Sequence, residues 1–160
     1  MSKPRVQSVA EEGGRVIAGR LRPGTDLLPG LLEACREHGV TSGTFMTVMG
    51  SLKQARFVYV MPKADSPIGV GYGDAVQLDL PVEVLTAQGT IGVWEDGTPS
   101  IHMHALLIDT TGALHGGHML DEGNPTLATI EFSIRELPTT EVVRRVEEEI
   151  KLPVFSFVKK

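Results

Sequence analysis

IHMHALLIDTTGALHGGHML, residues 101–120, holds four of the five histidines of this 160-residue chain. Two mostly apolar runs flank Asp109-Thr110-Thr111-Gly112, and that arrangement spells a β-hairpin. His102 and His104 are two apart, so on a strand both rings leave the same face. Loop length decides what faces them. A three-residue loop (Thr110, Thr111, Gly112) suits a type I turn closed by a left-handed residue, a place for glycine. It pairs Asp109 with Ala113 and His104 with His118, so His102, His104 and His118 share a face and His115 takes the other. A two- or four-residue loop shifts the register by one and brings His115 in place of His118. The glycine position favours His118, although Gly116-Gly117 admits a bulge that would upset the count.

A lone strand histidine is usually structural, and two at i, i+2 are mostly accidental. A third in the opposed strand changes the weighing. Three imidazoles on one face can hold Zn²⁺ or another divalent transition metal and leave a coordination position open. The cysteine–histidine spacings of closed structural zinc sites are absent.

Around this hairpin the chain reads as a single α+β domain, built on a mostly antiparallel (mixed) β-sheet with one early helix packed on it. Arg15 to Leu21 is a first strand, broken by Arg22-Pro23-Gly24. Thr25 or Asp26 then caps a helix to His38, with Leu27, Leu28, Leu31, Leu32 and Cys35 at helical spacing and Gly39 as its stop. Strands follow around Gly43 to Met49, Gln54 to Met61, Val76 to Leu80, Pro81 to Thr90 (continued by Ile91 to Glu95) and Thr126 to Leu137, and the glycine- and proline-rich 62–73 stretch reads as a loop. Val142, Val143, Val146 and Ile150 lie near helical spacing, which predicts a short C-terminal helix over residues 139–152, with a last strand around Val154 to Val158. The expected division is a flexible segment 1–13, a main domain 14–137 and a C-terminal helix/strand extension 138–160.

Composition narrows function. A hydrophobic share of 41% suits a globular protein, and a net charge of −5 argues against a free-standing nucleic-acid binder. One cysteine, Cys35, excludes an internal disulfide. No apolar run can span a membrane and no signal-peptide core is visible, so a cytoplasmic protein is expected. Gly69, Gly71 and Gly73 do not make a dinucleotide fingerprint, and no Walker motif or nucleophile elbow occurs. Glu83 sits in an apolar strand, where facing solvent is the plainer reading and a general base or ligand the sharper one. Arg20 either snorkels to the surface or binds an anion.

Several segments together resemble the PPC (plants and prokaryotes conserved) domain. Arg20-Leu21-Arg22-Pro23-Gly24-Thr25-Asp26-Leu27 is similar to its R-L-x-P-G-(E/T)-D-(L/I) opening, and Met49-Gly50-Ser51-Leu52 to its I-G-S-L. Pro81-Val82-Glu83-Val84-Leu85 with Gly89 resembles the segment written G-R-F-E-I-L in plant members. His102-Met103-His104, Asp109, Gly112 and Gly116-Gly117-His118-Met119 resemble H-x-H … D-x-x-G … G-G-H-L. The resemblance implies a homotrimer, a fold similar to that of acetolactate decarboxylase, and a metal site on His102, His104 and His118, with Glu83 at the family's strand glutamate. His115 matches no family histidine. The AT-hook of plant members is missing, which weighs against DNA as a partner.

Two functional expectations follow. One is a metal-dependent hydrolase or lyase acting on a small organic substrate, with Glu83 as base or orienter and Arg20 as a carboxylate clamp. The other is a trimeric binding or regulatory module for a protein partner or DNA.

Overall fold

The 101–120 segment folds as the hairpin its sequence spells. In the computed structural model, which describes residues 9–160, β8 (Pro99–Asp109) turns into β9 (Leu114–Met119). Asp109 N–H donates to the Ala113 carbonyl at 3.0 Å, and Gly112 N–H to the Asp109 carbonyl at 3.0 Å. Gly112 has φ 85°, the left-handed conformation the three-residue loop needs. His104 therefore stands opposite His118, and His115 opposite Leu107.

The remaining elements run in chain order β1 (Val16–Leu21), α1 (Leu27–His38), β2 (Gly43–Leu52), β3 (Ala55–Val58), β4 (Val60–Pro62), β5 (Val70–Tyr72), β6 (Val76–Leu78), β7 (Val82–Trp94), then the hairpin, β10 (Thr126–Glu136), β11 (Thr140–Glu147) and β12 (Leu152–Lys159). The main sheet is ordered β1-β10-β2-β7-β8-β9-β3-β6, with β11 and β12 joined at the end of β7. Its pairings are antiparallel except for the short β11–β7 contact, and β4–β5 form a separate ribbon.

One face of this sheet makes the core. Ile101, Met103, Ala105 and Leu107 of β8 are buried, and Leu27, Leu28, Leu31 and Cys35 of α1 join the same cluster. Each fully buried leucine contributes about 1.5–3 kcal/mol. The alternate residues of β8 (Ser100, His102, His104 and Leu106) lie on the other face, which no helix covers. Leu106 and Leu114 remain 42% and 62% exposed there.

Asp26 starts α1 and ties it to the sheet. Its carboxylate accepts the Leu27 N–H at the cap, and also the N–H groups of Gly123 and Asn124 in the loop between β9 and β10. Gly39, in the left-handed conformation, ends the helix.

The C-terminal helix expected over residues 139–152 does not form. β11 occupies residues 140–147, followed by a turn and β12. The valines that mimic helical spacing are β-branched, and they pair residue by residue with β12, from Thr140 opposite Lys159 to Glu147 opposite Leu152. Val142 and Val143 are both buried because β11 also meets β7 at Val93 and Trp94. The 62–73 stretch, expected as loop, contains β5. Of the segment 1–13 expected to be flexible, residues 1–8 lie outside the described residues. Glu11 within it accepts from the Thr139 and Thr140 hydroxyls, both at 2.9 Å.

Candidate metal centre

The open face of the β8–β9 hairpin gathers His102, His104 and His118. One ring nitrogen from each lies within 4.8 Å of the others. The Nε2 atoms of His102 and His104 are 3.0 Å apart, and the three ring centroids are separated by 4.9 to 5.4 Å. His104 is exposed and the other two are half-buried. Alternation places His102 and His104 side by side, and the hairpin register supplies His118.

The Gly116-Gly117 pair explains how β9 can carry His118 here. A Cβ on Gly117 would stand 2.3 Å from the Val58 carbonyl oxygen of β3. Absence of a side chain lets β9 fit between β8 and β3 in register, with Val58 opposite His118.

Burial, then the charges of His102, His104 and Arg144, hold the His118 imidazole down to about 4. Burial, His104 and Arg144 also hold His102 below its ordinary value. Both rings are therefore neutral at pH 7 and able to coordinate. The sign of the pH effect follows. Between about pH 6.5 and 4 the unfolded chain binds a proton at residue 118 that the folded chain does not. The contribution is full above pH 6.5 and is lost as pH falls through 4. Metal-free protein should show a lower urea midpoint at pH 5 than at pH 7, and His118→Asn should flatten that dependence.

Tyr72 was not foreseen as part of the site. Its hydroxyl lies 3.1 Å from His118 Nδ1, with the rings 5.0 Å apart. It arrives on β5, from the segment whose glycines and proline mark a loop. The contact leaves Nε2 of His118 as its ligand nitrogen, with Nδ1–H donating to the phenol oxygen when the ring coordinates. Losing such an outer partner typically costs ten- to a hundredfold in metal affinity. Tyr72→Phe should weaken metal binding by about tenfold in a chelator competition titration, without loss of stoichiometry at saturating metal.

His115 points to the opposite face, where its Nε2 meets Asp109 Oδ2 at 2.8 Å. Asp109 also accepts from the Thr111 hydroxyl and from the N–H groups of Thr111 and Ala113. The Thr111 hydroxyl and His115 hold its carboxyl well below the usual range. His115 thus braces the turn that fixes the register.

Glu83 and Arg20 are not brought to the histidines within one chain. Glu83 shares the open face but pairs with Ile108, four residues from His104, or about 13 Å along the strand. Arg20 lies on edge strand β1 opposite Glu131, with β10, β2 and β7 between it and β8. It lines a cavity of about 560 Å³ beside α1 with Glu33, Glu37 and His38.

A sheet with a single covering helix and three histidines on its open face defines a small β-rich protein with a candidate metal centre. The sequence profile of the Plants and Prokaryotes Conserved (PCC, or PPC) domain matches residues 8–138, and the chain belongs to that family. Its fold is similar to a metal-containing protein from Archaeoglobus fulgidus, at 22% identity over 94% of this chain and 99% of that one, TM-score 0.78. It is also similar to a PPC protein from Pyrococcus horikoshii, at 20% identity over 97% and 100%, TM-score 0.78. A candidate DNA-binding protein from Ralstonia eutropha JMP134 is 27% identical over 87% and 89%, TM-score 0.71. No curated protein matches the chain significantly in sequence. No described helix is long and apolar enough to cross a membrane.

Proposed function

We propose that this PPC-domain protein binds a divalent transition metal, zinc foremost, through His102, His104 and His118, and uses it on a small organic substrate. The observation that carries this reading is the convergence of three imidazoles, with a ring nitrogen of each within 4.8 Å of the others. The donor set fits such an ion: imidazole suits zinc, copper, iron and nickel, and three protein ligands leave a position open. When bound, the ion supplies Lewis acidity toward a substrate carbonyl or a water, as hydrolysis or decarboxylation requires. His102, His104 and His118 would hold it, and Tyr72 would orient His118.

The homotrimer implied by the family resemblance belongs to the same proposal. Exposed Leu106 and Leu114 beside the histidines give the open face an apolar surface for a second copy. Any part that Glu83 or Arg20 plays in substrate handling is then played across a boundary between copies. A single buried thiol, Cys35, accords with a cytoplasmic, reducing setting.

The test is elemental analysis of untagged protein purified without added metal, with light scattering for the assembly. Near one transition-metal ion per chain, in a particle of three chains, supports the reading. No metal in the isolated protein and none on titration overturns it. The net charge of −5 predicts no salt-sensitive retention on duplex DNA. Such retention would favour the binding-module reading instead.

A further inference from the structure

Beyond the segment matched by the family profile, β11 and β12 form a hairpin whose contact with β7 sets Arg144 beside Trp94. The guanidinium lies 5.0 Å from the Trp94 ring and 5.4 Å from the Phe155 ring. Its Nη1 donates to Ser100 Oγ at 3.1 Å. Two aromatic faces and a hydroxyl thus fix a side chain that usually moves freely. Ser100 precedes His102 by two residues on the same face of β8, a separation of about 7 Å.

This cation has no carboxylate. Arg145 next to it approaches Glu95, and Arg15 pairs with Glu136, yet Arg144 forms no ion pair with any described residue. Its Nε is buried with no hydrogen-bond partner, and no described residue accepts from Nη2. With Nη1 taken by Ser100 and Nε closed off from solvent, Nη2 is the donor left to meet an anion by a charge-assisted hydrogen bond. Asp121 and Glu122 line the same cavity of about 310 Å³, and neither reaches ion-pair distance.

Charge balance points the same way. A divalent ion on three neutral imidazoles carries its full charge, and the histidine cluster includes no carboxylate. A guanidinium on the same face, joined to Ser100 two residues before His102, opposes the ion. Two neighbouring cationic centres call for an anion between them.

We propose that Arg144 is the anion-binding residue of the site, taking a carboxylate of a small organic acid whose other end coordinates the metal. The inference rests on the metal reading above. It assigns the acid-binding role to the C-terminal hairpin of this chain, at a place where neither Arg20 nor Glu83 reaches.

The test uses cobalt(II)-loaded protein, whose visible spectrum reports ligands entering the open position. Succinate is the two-ended probe and acetate the one-ended control. Wild type should bind succinate about tenfold or more tightly than acetate, the gain of one charge-assisted pair. Arg144→Gln should erase that advantage and leave acetate affinity within about twofold. If Arg144→Gln folds poorly, Arg144→Lys keeps a charge but lacks the planar fork that holds Ser100 with one nitrogen and leaves another for the ligand, and should lose most of the advantage. An advantage absent from wild type, or intact in either variant, overturns the role of Arg144 while the metal site stands. Failure of wild type to load cobalt at all overturns the metal reading and this inference with it.

Discussion

Alanine at His104 or at His118 is expected to empty the metal centre, while alanine at His115 is expected to leave it filled. A complete protein zinc site is worth about 10–16 kcal/mol, so one imidazole in a small donor set accounts for about 2.5–4 kcal/mol. That is roughly a hundred- to a thousandfold in affinity. Metal retained through purification in wild type should fall from near one equivalent to near zero in His104→Ala and His118→Ala. His115→Ala removes a ring whose Nε2 meets Asp109 on the opposite face. It should keep the metal within about twofold and lower the thermal midpoint, because the turn loses a brace. Elemental analysis and equilibrium dialysis of the three variants check this together. The reverse pattern, with metal lost in His115→Ala and kept in His118→Ala, would falsify both the hairpin register and the ligand set.

Which of these two histidines, three residues apart, faces His104 across the hairpin is legible in the sequence. The loop Thr110-Thr111-Gly112 is local, and one left-handed glycine is enough to choose between registers. The α1 cap and stop were legible for the same reason, since Asp26 and Gly39 act on the residues beside them. What escaped the sequence is nonlocal. Val142, Val143 and Val146 repeat at a spacing that a helix would use. Only the partner strand β12, which sets Phe157, Ser156 and Pro153 opposite them, together with a short parallel contact to β7, makes them a strand. Tyr72 escaped because it meets His118 across a separation of 46 residues in the chain. Arg144 escaped with the false helix, where the neighbouring Glu147, Glu148 and Glu149 suggest a solvated face.

Glu83 and Arg20 illustrate a different boundary. Period-two alternation tells which face a residue takes, and Glu83 does lie on the open face with the histidines. It does not tell how far along the strand a residue falls, because that depends on register against neighbours. Arg20 depends further on strand order, which places β1 at the far edge. A sequence can thus nominate residues for one face of a sheet without showing that they meet.

Asp26→Ala is expected to be the most destabilising single change outside the hydrophobic core. Removing the carboxylate takes the cap from Leu27, worth about 1 kcal/mol. It also strips the acceptor from the N–H groups of Gly123 and Asn124. Asn124 is fully buried, and a buried donor left without an acceptor costs about 1–3 kcal/mol. A total loss of ~2–4 kcal/mol follows, a large part of the stability of a domain this size. Urea unfolding should show the midpoint falling with the slope unchanged, so that the effect belongs to the folded state. Asp26→Ser separates the two roles: its hydroxyl can restore the cap, recovering about 1 kcal/mol, but it is too short to hold the loop. The loop matters to the site as well. Asn124 accepts the Arg56 N–H within β3 and donates to the Leu120 carbonyl just past β9. Those strands flank and carry His118, so slackening the loop should weaken metal binding in Asp26→Ala and in Asp26→Ser alike. If Asp26→Ser recovers metal affinity in full, the helix cap alone governs the site and the loop contacts do not.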